Sequence, residues 1–138
     1  MTWLHWALLS ALFAGLTAVL AKAGVKEIDS NLATAIRTVV ILVFVWSIAL
    51  ARSTSTISSI TTRTWLFLVL SGLATGASWL CYFRALQQGD VSRVAPIDKL
   101  SVVVAMALAA LFLNEQLGWR HWLGGGLIVC GTIVLARA

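Results

Sequence analysis

Tyr82-Phe83-Arg84-Ala85-Leu86-Gln87-Gln88-Gly89-Asp90-Val91-Ser92-Arg93-Val94-Ala95-Pro96-Ile97-Asp98-Lys99 holds the only proline of the chain and five of its fifteen charged residues. The run Ser71-Gly-Leu-Ala-Thr-Gly-Ala-Ser-Trp-Leu-Cys81 leads in, and Ser101-Val-Val-Val-Ala-Met-Ala-Leu108 leads out. Charge set between two such runs reads as the mouths of two membrane helices joined by a short turn. The same alternation extends in both directions. A transmembrane helix needs about 20 mainly apolar residues, and run lengths place five, at roughly 4–22, 31–51, 64–86, 94–113 and 119–136. The expected fold is therefore an all-α integral membrane protein of five transmembrane helices, with residues 1–138 as a single membrane domain.

Composition agrees. Hydrophobic residues make up 60% and charged residues 11% of the 138, and the mean hydropathy is +0.95. Soluble domains carry about 25% charge, and the loops leave no room for one. The net charge of +5 comes without the basic run that nucleic-acid binding uses, so headgroup and juxtamembrane charge accounts for it, and no nucleic-acid partner is expected. Cys81 and Cys130 fall inside predicted helices without CxxC spacing, which suggests neither a disulfide framework nor a metal site. The first helix lacks a basic n-region and an Ala-x-Ala site, so it should stay in the mature protein.

Trp3 and Trp6 open the first helix as interfacial rings. Ser10, Ala14, Thr17 and Ala21 form a small-residue stripe, suited either to close helix packing or to the wall of a polar cavity. Lys22 closes the helix, where it can snorkel to the headgroups. Asp29-Ser30-Asn31 supplies caps for the second helix.

Arg37 lies about two turns inside that helix. An arginine at a helix centre costs roughly 3 kcal/mol, and each Leu, Ile, Val or Phe returns roughly 0.3–0.6, so the run Val39 to Val45 just offsets it. Arg37 then needs a partner, a wet cavity or a snorkel to the interface. Ionisable residues at this depth usually face the bundle interior and mark a pathway.

The polar loop from Arg52 to Arg63 reads as a flexible surface connector. In the third helix Ser71, Thr75, Ser78 and Tyr82 share one face, beside Gly72-x-x-x-Gly76, a spacing for close helix approach. The fourth helix should start near Val94, with Pro96 in its first turn, where a missing N–H breaks no bond. Asp98, Ser101, Ala105 and Ala109 form a stripe on it, and Lys99 points about 100° away. Adjacent helix residues do not face each other, so Asp98 and Lys99 should take different partners, with Arg37 or Lys22 available to Asp98. Because helices alternate direction, Lys22, Arg37, Tyr82, Arg84, Asp98 and Lys99 should share one side of the bilayer. Glu115 should sit by the N-terminus of the fifth helix or pair with Arg120, and the run Gly124 to Gly131 argues for tight packing there. His5 and His121 stand alone beside tryptophans, with no HExxH, paired carboxylates or activated nucleophile, so no enzyme activity and no cofactor are expected.

Setting aside Arg37 and Lys99, one side carries Lys22, Lys26, Arg84, Arg93 and Arg137, and the other Arg52, Arg63, Arg120 and the terminal amine. The positive-inside rule acts on asymmetry, and this one is slight enough to permit insertion in both orientations.

Three parts of the chain resemble the EamA-like domain of the drug/metabolite transporter superfamily. They are Lys22 with Ala35-Ile36-Arg37, the segment Trp79 to Lys99, and Leu113-Asn-Glu-Gln-Leu-Gly-Trp-Arg-His-Trp-Leu-Gly124 before a glycine-rich helix. Asn114 stands where the family's Gly-Glu-x-Leu turn has its first glycine. The resemblance implies the small five-helix bacterial and archaeal branch, one half of the ten-helix architecture. It further implies a multi-pass inner-membrane protein that pairs with a second copy, possibly antiparallel, to form a homodimer of dual topology carrying a small polar or amphipathic metabolite by alternating access. On that reading Asp98 is a coupling carboxylate, Trp79 and Tyr82 contact substrate, and Arg37 and Lys99 attract an anionic group, with Lys22 on the path. Two alternatives stay open: Asp98 with Arg37 as a purely structural ion pair, and the chain as a non-transporting scaffold or accessory subunit.

Overall fold

A computed structural model describes residues 2–52 and 60–137, and they are helical apart from short connections. The helices are α1 (Trp3–Gly24), α2 (Ser30–Ala51), α3 (Thr62–Gln88), α4 (Val91–Asp98), α5 (Ser101–Phe112) and α6 (Trp119–Arg137). Four stretches are long and apolar enough to cross a membrane: α1, α2, α3 and Val91–Phe112, which joins α4 to α5. The fifth expected span, α6, is not one of these four. Its Trp-Arg-His-Trp start and its glycines dilute an otherwise apolar run. Large apolar side chains such as Leu12, Phe13, Val43, Phe44, Leu66 and Phe67 point outward, as a protein solvated by lipid requires, since hydrocarbon chains are as apolar as leucine. The loop reading for Arg52–Arg63 falls mostly on residues 53–59, outside the described residues.

The chain forms two compact units, Lys22–Gln87 and the pair Met1–Ala21 with Gln88–Ala138. In the first unit, α2 starts at a cap: Asp29 Oδ1 accepts the backbone N–H groups of Asn31 at 2.9 Å and Leu32 at 3.1 Å. Val25, Ser30, Thr34, Phe83 and Leu86 are the buried residues of this unit.

In the second unit, α6 packs on both α4 and α5. Gly125 is the close-approach point, because a Cβ there would stand 3.7 Å from Met106 Cε and 3.9 Å from Val103 Cγ2. At Gly124, Gly126 and Gly131 a Cβ would meet no described atom within 4 Å, so among the described residues Gly125 is the member of the run that makes this contact. Both histidines work locally at helix starts: Gly118 N donates to His121 Nδ1 at 3.1 Å, and the Thr2 hydroxyl lies 2.8 Å from His5 Nδ1.

The fourth span differs from the expected unbroken helix. It begins earlier, at Val91 after Asp90, which places Pro96 inside α4 and beyond its first turn. A proline there has no N–H for the usual bond, and its ring crowds the carbonyl four residues back. The backbone responds by tightening: Lys99 N donates to Pro96 O and Leu100 N to Ile97 O, both at 3.0 Å and both three residues apart. Regular helix resumes at Ser101.

At the end of α5, Asn114 has φ 53°, the one left-handed non-glycine residue among those described. Glu115 N turns back to Ala109 O at 3.3 Å. Asparagine tolerates this conformation better than most side chains, which explains why it can stand where the family turn has glycine.

Candidate functional site

Every third or fourth residue of α2 from its start is polar: Ser30, Thr34 and Arg37. They lie on one face by helical spacing. The hydroxyls of this helix are partly turned back on the backbone, with Thr34 Oγ1 donating to Ser30 O and Thr38 Oγ1 to Thr34 O, both at 2.8 Å. The Ser30 hydroxyl is different, for its oxygen is buried without a hydrogen-bond partner. A buried polar group left unsatisfied costs about 1–3 kcal/mol.

The Arg37 guanidinium lies 4.7 Å from the centroid of the Trp79 ring and 5.2 Å from that of Phe83. Both rings come from one face of α3, four residues apart. A cation over a desolvated aromatic face is stabilised by about 2 kcal/mol. That is most of the roughly 3 kcal/mol cost of an arginine at membrane depth, so Arg37 need not be neutralised by a carboxylate. Tyr82 is half-buried and sets its ring edge-on to Phe83, 6.5 Å between centroids. Lys22 reaches the other end of the same helix, where Nζ donates to Leu86 O at 2.7 Å. Lys22, Arg37, Trp79 and Tyr82 thus belong to the Lys22–Gln87 unit. Phe83 is the member that sequence reading left out. It sits four residues from Trp79 on the same face, and that spacing was the available signal.

A neighbouring face of α3 borders an open pocket of about 490 Å³ lined by Asp29, Ser30, Asn31, Leu80, Cys81 and Arg84. Below it Gln87 links two elements: its Oε1 accepts from Arg84 Nη1 at 3.1 Å, and its Nε2 donates to Ile28 O at 3.0 Å.

Asp98 and Lys99 lie in the other unit. The expectation that they take different partners is overturned, because Lys99 Nζ meets Asp98 Oδ2 at 3.4 Å. The separation of about 100° holds on a continuous helix, and α4 ends at Asp98 with Lys99 as its cap. With side chains 56% and 35% exposed, such a pair contributes about 0–1 kcal/mol. The residue that anchors this turn is Thr132, buried in α6, whose hydroxyl donates to Pro96 O at 3.3 Å. Among the described residues no three His, Cys, Asp or Glu side chains cluster to hold a metal ion.

Long apolar helices, a cation held on aromatic rings inside one of them and polar groups at helix mouths are the features of a multi-pass membrane protein. The chain belongs to the EamA-like transporter family, whose profile matches residues 1–137. It is a membrane transporter of the drug/metabolite type, and such a protein resides in the bacterial inner membrane. It is 57% identical over 136 residues to an uncharacterized transporter in the cobO 3′ region of a Sinorhizobium species, covering 98% of this chain and 96% of the relative. It is also 30% identical over 69 residues to a probable 4-amino-4-deoxy-L-arabinose-phosphoundecaprenol flippase subunit ArnE of Aeromonas salmonicida, covering 50% of this chain and 60% of that relative. The corresponding ArnE protein of Pseudomonas fluorescens is 32% identical over 73 residues, 53% of this chain and 62% of the relative. No solved structure matches the chain significantly.

Proposed function

We propose that the chain is a permease for a small polar or amphipathic metabolite, in which residues 1–138 act as one membrane domain and two copies, inverted relative to each other, alternate access across the bilayer. The observation that carries this reading is Arg37, a cation kept half-buried inside an apolar span by Trp79 and Phe83. Ionisable residues at membrane depth mark substrate and ion paths, and a guanidinium held by ring faces keeps its N–H edge available for an anionic group. Trp79 and Tyr82 supply the apolar contact, Lys22 adds positive charge at the helix mouth, and Asp98 with Lys99 forms a loosely held pair that substrate or a coupling cation can open. The paired arrangement draws support from the slight charge asymmetry between the two sides and from Gly72 and Gly76, where a Cβ would meet no described atom within 4 Å.

A second reading, an accessory subunit that carries nothing by itself, draws on the ArnE relatives, which are designated flippase subunits. Flux in reconstituted vesicles against a metabolite panel separates the two. Asp98→Asn and Arg37→Gln are expected to lower flux about tenfold or more, the effect of some 1.4 kcal/mol of lost interaction. Equal flux in all three proteins removes these residues from the path, and an absence of flux for every solute favours the subunit reading.

A further inference from the structure

The hydroxyls of Thr34, Thr38, Ser47 and Thr75 each donate to the carbonyl four residues back in their own helix. Thr132 departs from that habit. It is 6% exposed in α6, and its hydroxyl crosses to Pro96 O of α4 at 3.3 Å. A helical threonine has two usable χ1 rotamers because its Oγ1 can bond the carbonyl three or four residues back, so Ile128 O is a second acceptor for the same proton. The crossing bond is long, against 2.8–2.9 Å for Thr34, Thr38 and Thr75 and about 2.5–3.0 Å for O–H···O bonds in general. Its acceptor stands where the fourth span leaves the α-helical pattern. There Lys99 N takes Pro96 O and Leu100 N takes Ile97 O, each three residues back, whereas a regular helix gives Ala95 O to Lys99 N and Pro96 O to Leu100 N. Both patterns satisfy the same donors, so passing from one to the other strands neither N–H group. α6 also bears on the two arms separately, with Gly125 against Met106 and Val103 on α5 and Thr132 on Pro96 of α4.

We propose that Thr132 is the latch of a hinge in the fourth span. With its hydroxyl on Pro96 O, α6 splints α4 to α5 across the turn at Asp98–Leu100. With the hydroxyl turned back on Ile128 O, the α4 arm is released and the turn is free to exchange its three-residue bonds for four-residue ones. Neither position leaves the buried hydroxyl without an acceptor, so release avoids the penalty of an unsatisfied polar group. Helix pairs move between discrete arrangements of this kind because packed interfaces are bistable. The use of the hinge in a carrier rests on the transport reading. Asp98 and Lys99 sit at the turn and pair there, while a regular helix would hold them about 100° apart, so a change at the hinge alters what these two charges face.

Amide hydrogen exchange of the full chain in micelles, followed peptide by peptide, reads local opening without flux, so its result stands apart from the transport assay. Thr132→Val keeps the branched shape of the side chain and removes the proton donor. Exchange across residues 97–104 should quicken about fivefold, the weight of one ordinary hydrogen bond, while peptides from α2 and from the middle of α3 exchange as in the wild type. Thr132→Ser keeps the hydroxyl and both acceptors and should exchange as the wild type does throughout. Unchanged exchange at 97–104 in Thr132→Val overturns the proposal. Equal quickening in Thr132→Ser also overturns it, by tracing the effect to packing rather than to the hydroxyl. Quickening spread evenly over all the helices overturns it as well, since Thr132 would then hold the whole fold and not the hinge.

Discussion

Arg37 and its rings are the residues on which the energetics of α2 turn. With the guanidinium 4.7 Å from Trp79 and 5.2 Å from Phe83, Trp79→Leu should destabilise the protein, while the same change in an Arg37→Met background should cost less. The coupling between the two sites is expected at about 0.5–2 kcal/mol, read from unfolding midpoints in micelles as a double-mutant cycle. Strictly additive midpoints would mean that the ring contact contributes nothing. At this scale the sequence was legible in part. The cost of Arg37 at its depth was plain from hydropathy alone and demanded a partner, and a pair of rings on α3 meets part of that demand. Apolar periodicity flags charges as anomalies and passes over aromatic residues, which look like ordinary membrane-facing side chains until a cation is seen lying on them. Asn114 is a second case: its place in the turn was visible, whereas its positive φ is a property of the backbone path between α5 and α6.

At the level of elements, four of the spans were legible because about 20 apolar residues in a row have few other uses. The break inside the fourth of them was not. Its position depends on where the helix starts, and helix starts are the boundaries that periodicity fixes least well. Moving the start from Val94 to Val91 changes Pro96 from a tolerated first-turn residue into an interior one and brings Asp98 and Lys99 together. The glycines of α6 show the same limit, since composition announces close packing without saying which glycine makes it. Gly125→Leu should drive its side chain into Met106 and Val103 and lower stability by about 1–3 kcal/mol, the usual effect of overpacking. Exposed Gly126→Leu should stay within about 0.5 kcal/mol or gain slightly. Thermal unfolding of the two variants in the same detergent gives the comparison, and equal losses would contradict the α5–α6 contact.

For the whole molecule, the proposed pairing of two inverted copies requires insertion in both directions. Reporter tags at the C-terminus, one active only in the cytoplasm and one only outside it, should each give signal from a population of cells. Adding lysines beside Lys26 should bias that population to one side, because orientation follows the Lys and Arg count of short loops. Signal from one side alone would remove the inverted dimer while leaving a parallel one. The bond from the Thr132 hydroxyl to Pro96 O bears on how such a molecule is made. The two residues are 36 positions apart, so Pro96 O, which Lys99 N already meets locally, gains its second donor only after another helix has followed it out of the ribosome. The last hydrogen bond at the break in the fourth span therefore forms only once α6 has been made.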